Sequence, residues 1–386
     1  MPTAPQILAV GHICLDVIPI FAPNASPQLT PGSLTRVGPA LRSPGGPVAN
    51  VGLALHRLGT PTALMGKVGD DLFGHEIIRL IEAHGPGLAA RMIHAPDQDT
   101  SYTIVISPPT ADRLFLHHPG ANDTFSLSDF KLNSLDSARL IHFGYPPLMQ
   151  RFSSDEGVSM RQLFEQARAR HLATSLDMCA IDPASDAARV DWPRWLEHVL
   201  PVVDFFQPSF DELRFMLLGS TPPANEPPRI DELRDLAARC LAMGAAVVAI
   251  KLGEHGLYLR STDDAARLEN VPGHVLARPD AWRGRELLQP CYEIDVVGTT
   301  GSGDATIAGL LAALLRDANP DDALRAATAT GACCVEAPDA TTGIRPWREI
   351  ERRLAERWRH KPHGLSLGKH WSAAAPHRGP ADRSEA

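Results

Sequence analysis

Residues 293–315 read EIDVVGTTGSGDATIAGLLAALL, and the rest of the chain is best understood from this stretch outward. Ile294, Val296 and Val297 form a short β-rich run, Gly298 to Gly303 break it, and Ala305 to Leu315 resume at helical spacing. The pattern predicts a strand, a tight turn and a helix. Without a Cβ at Gly301 and Gly303 the backbone can turn sharply, so that several N–H groups point at one anion beside the positive end of the helix dipole. Asp304 falls next to that anion site. A carboxylate held there can take a proton from an alcohol while the amides offset charge on a transferring phosphoryl group. Taken alone, the stretch is explained equally well as a glycine-rich helix start whose Asp304 counters the dipole.

The chain has 386 residues, 44% hydrophobic and 21% charged, enough for a large core in one big α/β domain or two smaller ones. Its formal net charge of -8 argues against nucleic acid as a partner, which would need a basic face. MPTAPQILAVGHICLD has no basic n-region and meets His12 early, so neither a signal peptide nor a membrane anchor is expected. No apolar run is long enough to span a bilayer. The six cysteines (14, 179, 240, 291, 333 and 334) form no C-x-x-C pair and are expected to be reduced, mostly buried thiols in a cytoplasmic protein.

In chain order, residues 7–13 are expected to form a first strand, with Asp16 just beyond it. Residues 19–47 are rich in Pro, Gly and Ser and suit an excursion from the main sheet. Gly45, Gly46 and Asn50 open a helix that ends at Gly59, and 63–68 is expected to be a strand. Residues 102–107 and 113–117 are expected to pair as a hairpin around 108–112, with Asn122 just after it. Strands at 140–143, 174–178, 202–206, 246–251 and 257–260 then alternate with helices at 158–171, 192–200, 211–218 and 230–243, the last after a proline-rich loop at 221–228. Helices at 305–316, 321–336 and 347–358 follow. This alternation predicts an α/β fold with a doubly wound, mainly parallel sheet, its ligands outside the carboxyl ends of the strands. Residues 1–360 would form one domain, and 361–386, poor in apolar residues, are expected to be disordered.

Five motifs occur in register: G-x-x-x-x-D (Gly11 to Asp16), G-G-x-x-x-N (Gly45 to Asn50), G-K-V-G-D-D-x-x-G (Gly66 to Gly74), K-L-G-E-H-G (Lys251 to Gly256) and G-T-T-G-S-G-D (Gly298 to Asp304). In this order and spacing the chain resembles the ribokinase/PfkB family of carbohydrate kinases from about residue 7 to 358, with a loop most similar to its fructokinase-like branch. The resemblance implies a ribokinase-like fold with a small β-lid built from about 17–42 and 100–118. It implies that Gly301, Ser302 and Gly303 form the anion hole and Asp304 is the general base. Asp16, Gly45, Gly46, Asn50 and Asn122 would bind the sugar, and Lys251, Gly253, Gly256 and Ser209 would line the adenine nucleotide. ATP and Mg²⁺ are implied, with Glu212 at the metal, and pairing of lids would give a homodimer.

Two positions depart from the family pattern. Gly298 replaces an Asp linked to a monovalent-cation site, which puts potassium activation in doubt. Ser209 replaces the Asn of N-x-x-E while Glu212 is kept, so metal handling is expected to be weakened; without the resemblance, Asp211 and Glu212 read equally as first-turn acids. The implied reaction is phosphorylation of a hydroxyl on a small sugar or sugar-like alcohol, with GGPVAN leaning toward an unphosphorylated ketose or sugar acid. Alternatives are a nucleoside kinase using Phe143 or Tyr145 as a platform, or a catalytically silent binding regulator on the same fold. His75-Glu76 and His117-His118 lack partners at zinc spacing, Gly303 is followed by no P-loop lysine, and His142 is assigned to the core or its surroundings.

Overall fold

The computed structural model describes residues 4–22, 31–32, 34–108, 114–130, 137–221 and 226–384. Parts of the expected excursion, hairpin turn and proline-rich loop, at 23–30, 33, 109–113 and 222–225, lie outside the described residues, as do 131–136, 385 and 386.

The chain starts with β1 (Ile7–Gly11), β2 (Cys14–Pro19) and β3 (Ala40–Gly45), then α1 (Pro47–Arg57), β4 (Thr62–Met65) and β5 (Lys67–Gly69). Next come α2 (Leu72–Glu82), β6 (Ile93–Ala95), β7 (Tyr102–Ile106), β8 (Leu114–His118) and β9 (Leu140–Gly144). The regular alternation continues with α3 (Gln150–Ser153), α4 (Val158–Arg168), β10 (Ala173–Asp177), α5 (Trp192–Val199), β11 (Phe205–Phe206), α6 (Phe210–Leu218), α7 (Ile230–Ala242) and β12 (Val247–Lys251). The last part holds β13 (Leu257–Ser261), α8 (Ala265–Glu269), β14 (Glu286–Gln289), α9 (Ser302–Leu314), α10 (Pro320–Cys334), α11 (Trp347–Ala355) and β15 (His377–Arg378).

Nine strands form one sheet in the order β15-β14-β13-β12-β11-β10-β9-β1-β4. It is parallel from β4 through β12 and antiparallel beyond. Both faces are covered, which is why the strands are runs of Val, Ile, Leu and Phe rather than alternating ones. Successive residues still choose opposite faces: Ile7, Leu140 and Phe205 pack with α1, α9 and α10, whereas Leu8, Ile141 and Phe206 pack with α4 to α7. α9 is apolar nearly all round because it is buried nearly all round.

β1 lies between β4 and β9, so the chain leaves it in one direction and later returns on the other side. That reversal opens a crevice at the carboxyl ends of β1 and β9. Gly11 makes the crevice possible, with φ +128° and a position where a Cβ would meet the Gly144 carbonyl oxygen at 2.3 Å. A second, four-stranded sheet, β3-β2-β7-β8, stands over it and runs into α1 through Gly46.

Three expectations need correction. Residues 294–297 form no strand; Val296 and Val297 are each 62% exposed, and Ile294 and Val296 line a groove rather than a sheet. The stretch 63–68 is two strands, and β5 leaves the main sheet to pair with β6. Residues 361–384, expected to be disordered, are ordered. Leu365 is buried, the Trp371 ring lies 6.3 Å from that of Tyr258, β15 pairs with β14, and Asp382 binds Arg285 at 3.0 Å. A segment that covers an existing sheet edge through backbone bonds and one buried ion pair needs few apolar residues of its own.

Candidate active site

Asp304 sits in the first turn of α9, three residues after Gly301, whose φ of +73° places it in the left-handed region that favours glycine. Its carboxylate is 4% exposed and held on both oxygens. Asn50 Nδ2 donates to Oδ2 at 2.9 Å, and the Tyr145 hydroxyl donates to Oδ1 at 3.0 Å. Burial raises the Asp304 pKa, while Lys251 and these two donors oppose the rise. The N–H groups of a first helical turn have no i−4 carbonyl to bond. Here that of Ser302 reaches the Thr299 carbonyl at 3.3 Å, and the backbone of Gly303 faces the Lys251 side chain, where a Cβ would meet Cδ at 3.5 Å.

Lys251, at the end of β12, carries its ammonium into a group of three carboxylates. Nζ lies 2.5 Å from Asp177 Oδ1, at the end of β10. Burial works against the charge on Lys251, but Asp177, then Glu212 and Asp304, outweigh it and hold the pKa above the ordinary lysine range. Burial also pushes up Asp177 and Glu212, with Lys251 opposing both. The second oxygen of Asp177, Oδ2, is buried without a hydrogen-bond partner.

Ser209 and Glu212 cap α6 reciprocally. Ser209 N donates to Glu212 Oε2 at 2.7 Å, and Glu212 N donates to Ser209 Oγ at 3.3 Å. Ser209 also bridges to Lys251 through the backbone, which places the cap against the carboxylate group. A cavity of about 480 Å³ opens beside it, lined by Lys251, Gly253, Gly256, Ser302, Gly303 and Lys361 among others. A wider recess of about 1080 Å³, between α10, α11 and the C-terminal segment, is lined by none of Lys251, Ser302 and Gly303, whereas the smaller cavity is lined by all three and so adjoins Asp304.

On the other side of Asp304 lie groups from the four-stranded sheet and its loop. Asp16, in β2, packs so close to Gly45 that a Cβ there would meet its Oδ2 at 2.3 Å. Burial pushes Asp16 up to about 6, with hydrogen bonds from Cys14 and Thr103 opposing and Asp304 adding to the rise. Gly46, at φ +82°, leaves room for His12, whose Nδ1 would stand 2.6 Å from a Cβ. Both nitrogens of the buried His12 ring lack partners; its centroid lies 5.1 Å from that of His117 and 6.3 Å from that of Tyr145.

The structure thus brings Asp16, Gly45, Gly46, Asn50, Gly301, Ser302, Gly303 and Asp304 around one crevice, with Lys251, Gly253, Gly256, Ser209 and Glu212 adjoining it. Asn122 stands apart. Its fully buried amide is spent on the Ile13 backbone, donating to the carbonyl at 2.9 Å and accepting from N–H at 3.2 Å, so it braces the turn after β1. Sequence reasoning missed Asp177 and His12. A carboxylate ending a parallel strand and a histidine just past the first strand are the signals that point to them. His142 is fully buried with Nδ1 2.9 Å from Ser175 Oγ, as a core residue. Among the described residues no group of three or more His, Cys, Asp or Glu is arranged to hold a metal, and no helix is long and apolar enough to cross a membrane.

The ribokinase-like fold recurs in solved structures. That of Arabidopsis thaliana ribokinase complexed with ribose and ATP superposes with a TM-score of 0.68 at 19% identity, covering 91% of this chain and 99% of that one. Among sequence relatives, fructokinase-2 of Oryza sativa subsp. japonica is 24% identical over 85% of this chain and 87% of its own length. The nucleoside kinase of Methanothermobacter thermautotrophicus is 26% identical over 92% and 98%. The family model for pfkB family carbohydrate kinases matches residues 4–348, and the chain belongs to that family.

Proposed function

We propose that the protein transfers the γ-phosphoryl group of ATP to a hydroxyl of a small, unphosphorylated sugar or sugar-like alcohol. The observation that carries this reading is Asp304: a buried carboxylate at the positive end of α9, oriented on both oxygens by Asn50 and Tyr145, between the crevice and the 480 Å³ cavity. The acceptor would lie under the four-stranded sheet, read by Asp16, Asn50 and the unpartnered nitrogens of His12. The nucleotide would occupy the cavity beside Lys251, Gly253 and Gly256. Asp304 takes the acceptor proton as the hydroxyl oxygen bonds to the γ-phosphorus, and the bond from that phosphorus to the β–γ bridging oxygen breaks to release ADP. Amides at Gly301 to Gly303 and the Lys251 ammonium offset the developing charge. The four-stranded sheet acts as a lid that keeps water from competing as acceptor.

The donor set suits Mg²⁺ carried mainly by phosphate oxygens and water, because the few hard oxygens near Lys251, which lines the cavity, are those of Glu212 and the unpartnered Asp177 Oδ2. Bound there, the ion would neutralise phosphate charge. Phe143 is buried in the core and the Tyr145 hydroxyl is committed to Asp304, which supports a sugar over a nucleoside acceptor. The exposed apolar residues Leu114 and Leu116 on edge strand β8 support a homodimer through the lid.

The test is ADP release from ATP and Mg²⁺ across hexoses, pentoses, sugar acids, polyols and nucleosides, with Asp304→Asn as control. Turnover with one acceptor that collapses in the variant supports the reading. Background turnover with every acceptor, despite ligand-induced thermal stabilisation, would favour a silent regulator.

A further inference from the structure

The family match ends at residue 348, yet the chain continues and returns to the nucleotide cavity. Cys291, Tyr292 and Glu293 form one wall of that cavity and belong to no helix and no strand. They are held from behind by residues 358–361. Trp358 Nε1 donates to the Glu293 carbonyl at 2.9 Å, Glu293 N–H donates to the Arg359 carbonyl at 2.8 Å, and Lys361 N–H donates to the Cys291 carbonyl at 2.8 Å. The Tyr292 ring is flanked by Trp358 and His360, each centroid 4.8 Å away. Lys361 Nζ binds Glu254 Oε2 at 2.6 Å, and Cys291 Sγ donates to the Gly253 carbonyl at 3.4 Å, which ties this segment and the wall to the adjoining Gly253 to Gly256 turn. Downstream, Leu365, β15 and the Arg285–Asp382 ion pair anchor the segment to the main sheet.

We propose that residues 358–384 are a strap that sets nucleotide affinity, with Trp358 and His360 as positioning residues for the 291–293 wall. The proposal rests on the kinase reading above. An irregular wall holds a ligand only as well as it is itself held, because any freedom it keeps in the free protein must be lost on binding. Two aromatic contacts and three hydrogen bonds remove that freedom beforehand. Tyr292 lines both the nucleotide cavity and the nearby recess of about 1080 Å³, and Trp358 and His360 line that recess, so the wall stands between the two.

The experiment compares the full chain with Trp358→Ala/His360→Ala, with His360→Phe, and with a chain ending at Arg357. MgATP is titrated by calorimetry, and KM and kcat are read with whichever acceptor turns over. The double variant is expected to raise the MgATP Kd and the KM for ATP by about tenfold, the equivalent of roughly 1.4 kcal/mol. Its kcat at saturating ATP and its acceptor KM should stay within about twofold. His360→Phe keeps a ring on Tyr292 and should bind MgATP as the full chain does. The shortened chain, if it folds, should bind more weakly than the double variant. An unchanged MgATP Kd in the folded double variant overturns the proposal. So does a parallel fall of kcat, acceptor affinity and melting temperature, which would mark the strap as scaffold alone. A full chain that binds no MgATP overturns the kinase reading, and this proposal with it.

Discussion

Asn50 and Asp304 are 254 positions apart in the chain and meet through a 2.9 Å hydrogen bond at the bottom of the crevice. One belongs to α1, which follows β3 of the four-stranded sheet, the other to the first turn of α9. Asp304→Asn should lower kcat by about 10²- to 10⁴-fold, the usual worth of a positioned base. Asn50→Ala should fall short of that, because the base remains and only its orientation is lost. Steady-state kinetics together with MgATP titration check the pair, since nucleotide binding should survive both changes.

Asp16 offers a prediction about stability and pH. Its folded pKa of about 6 lies above the ordinary value of 3.8, with burial as the main cause. The folded state therefore binds this proton more tightly than the unfolded chain does, and stability is lost as pH rises from about 4 through about 6. Asp16→Asn should stabilise the protein by about 1–3 kcal/mol at pH 8 and by almost nothing at pH 4, while weakening acceptor binding. Denaturant titration at the two pH values reads the difference directly.

Lys251 should matter for stability as well as for the proposed contact with phosphates. Lys251→Met would leave Asp177 without its 2.5 Å partner and three carboxylates facing one another. Breaking a buried pair from one side costs about 3–5 kcal/mol. The melting temperature at pH 7 should drop sharply, and lowering the pH toward 5 should recover part of the loss as a carboxylate takes up a proton.

Gly301→Ala meets two obstacles: a φ of +73° and a Cβ that would stand 2.3 Å from the Ala340 Cβ. The backbone term alone is worth about 1–2 kcal/mol. The variant should fold less stably and lose kcat, because relieving the contact turns the first-turn amides away from the phosphoryl group.

Potassium should be without effect. Gly298 has no carboxylate to hold a monovalent cation, and a Cβ there would stand 2.9 Å from the Ala337 carbonyl oxygen. Replacing sodium with potassium at constant ionic strength should leave the turnover rate within about twofold; a many-fold rise would show that carbonyl groups alone suffice.

Much of this was legible in the sequence because periodicity reports burial. The alternation of apolar strands with helices from residue 140 to 251 predicts the parallel sheet, and the glycines at 45, 46 and 301 mark places where the backbone leaves no room for a Cβ. Residues 294–297 misled because β-branched residues in a groove and in a strand look alike over four positions. The C-terminal segment misled for the opposite reason: backbone pairing at β15 and the Arg285–Asp382 ion pair have no periodic signature. Asp177 and His12 were missed because a single Asp at a strand end or His just past a strand is a weak signal without the strand's neighbours. Only the sheet order, which brings the ends of β1, β9 and β10 side by side, shows what they face.

Between the end of β3 at Gly45 and the start of α1 at Pro47 there is a single residue, Gly46. The four-stranded sheet and the helix that carries Asn50 are therefore joined by a one-residue pivot. If the four-stranded sheet is the proposed lid, swinging it outward would tug on the amide that aims Asp304, and a bound sugar pressing it down would seat that amide. On that reading the motion that admits the substrate would also discourage transfer to water, without any separate sensor of the substrate's arrival.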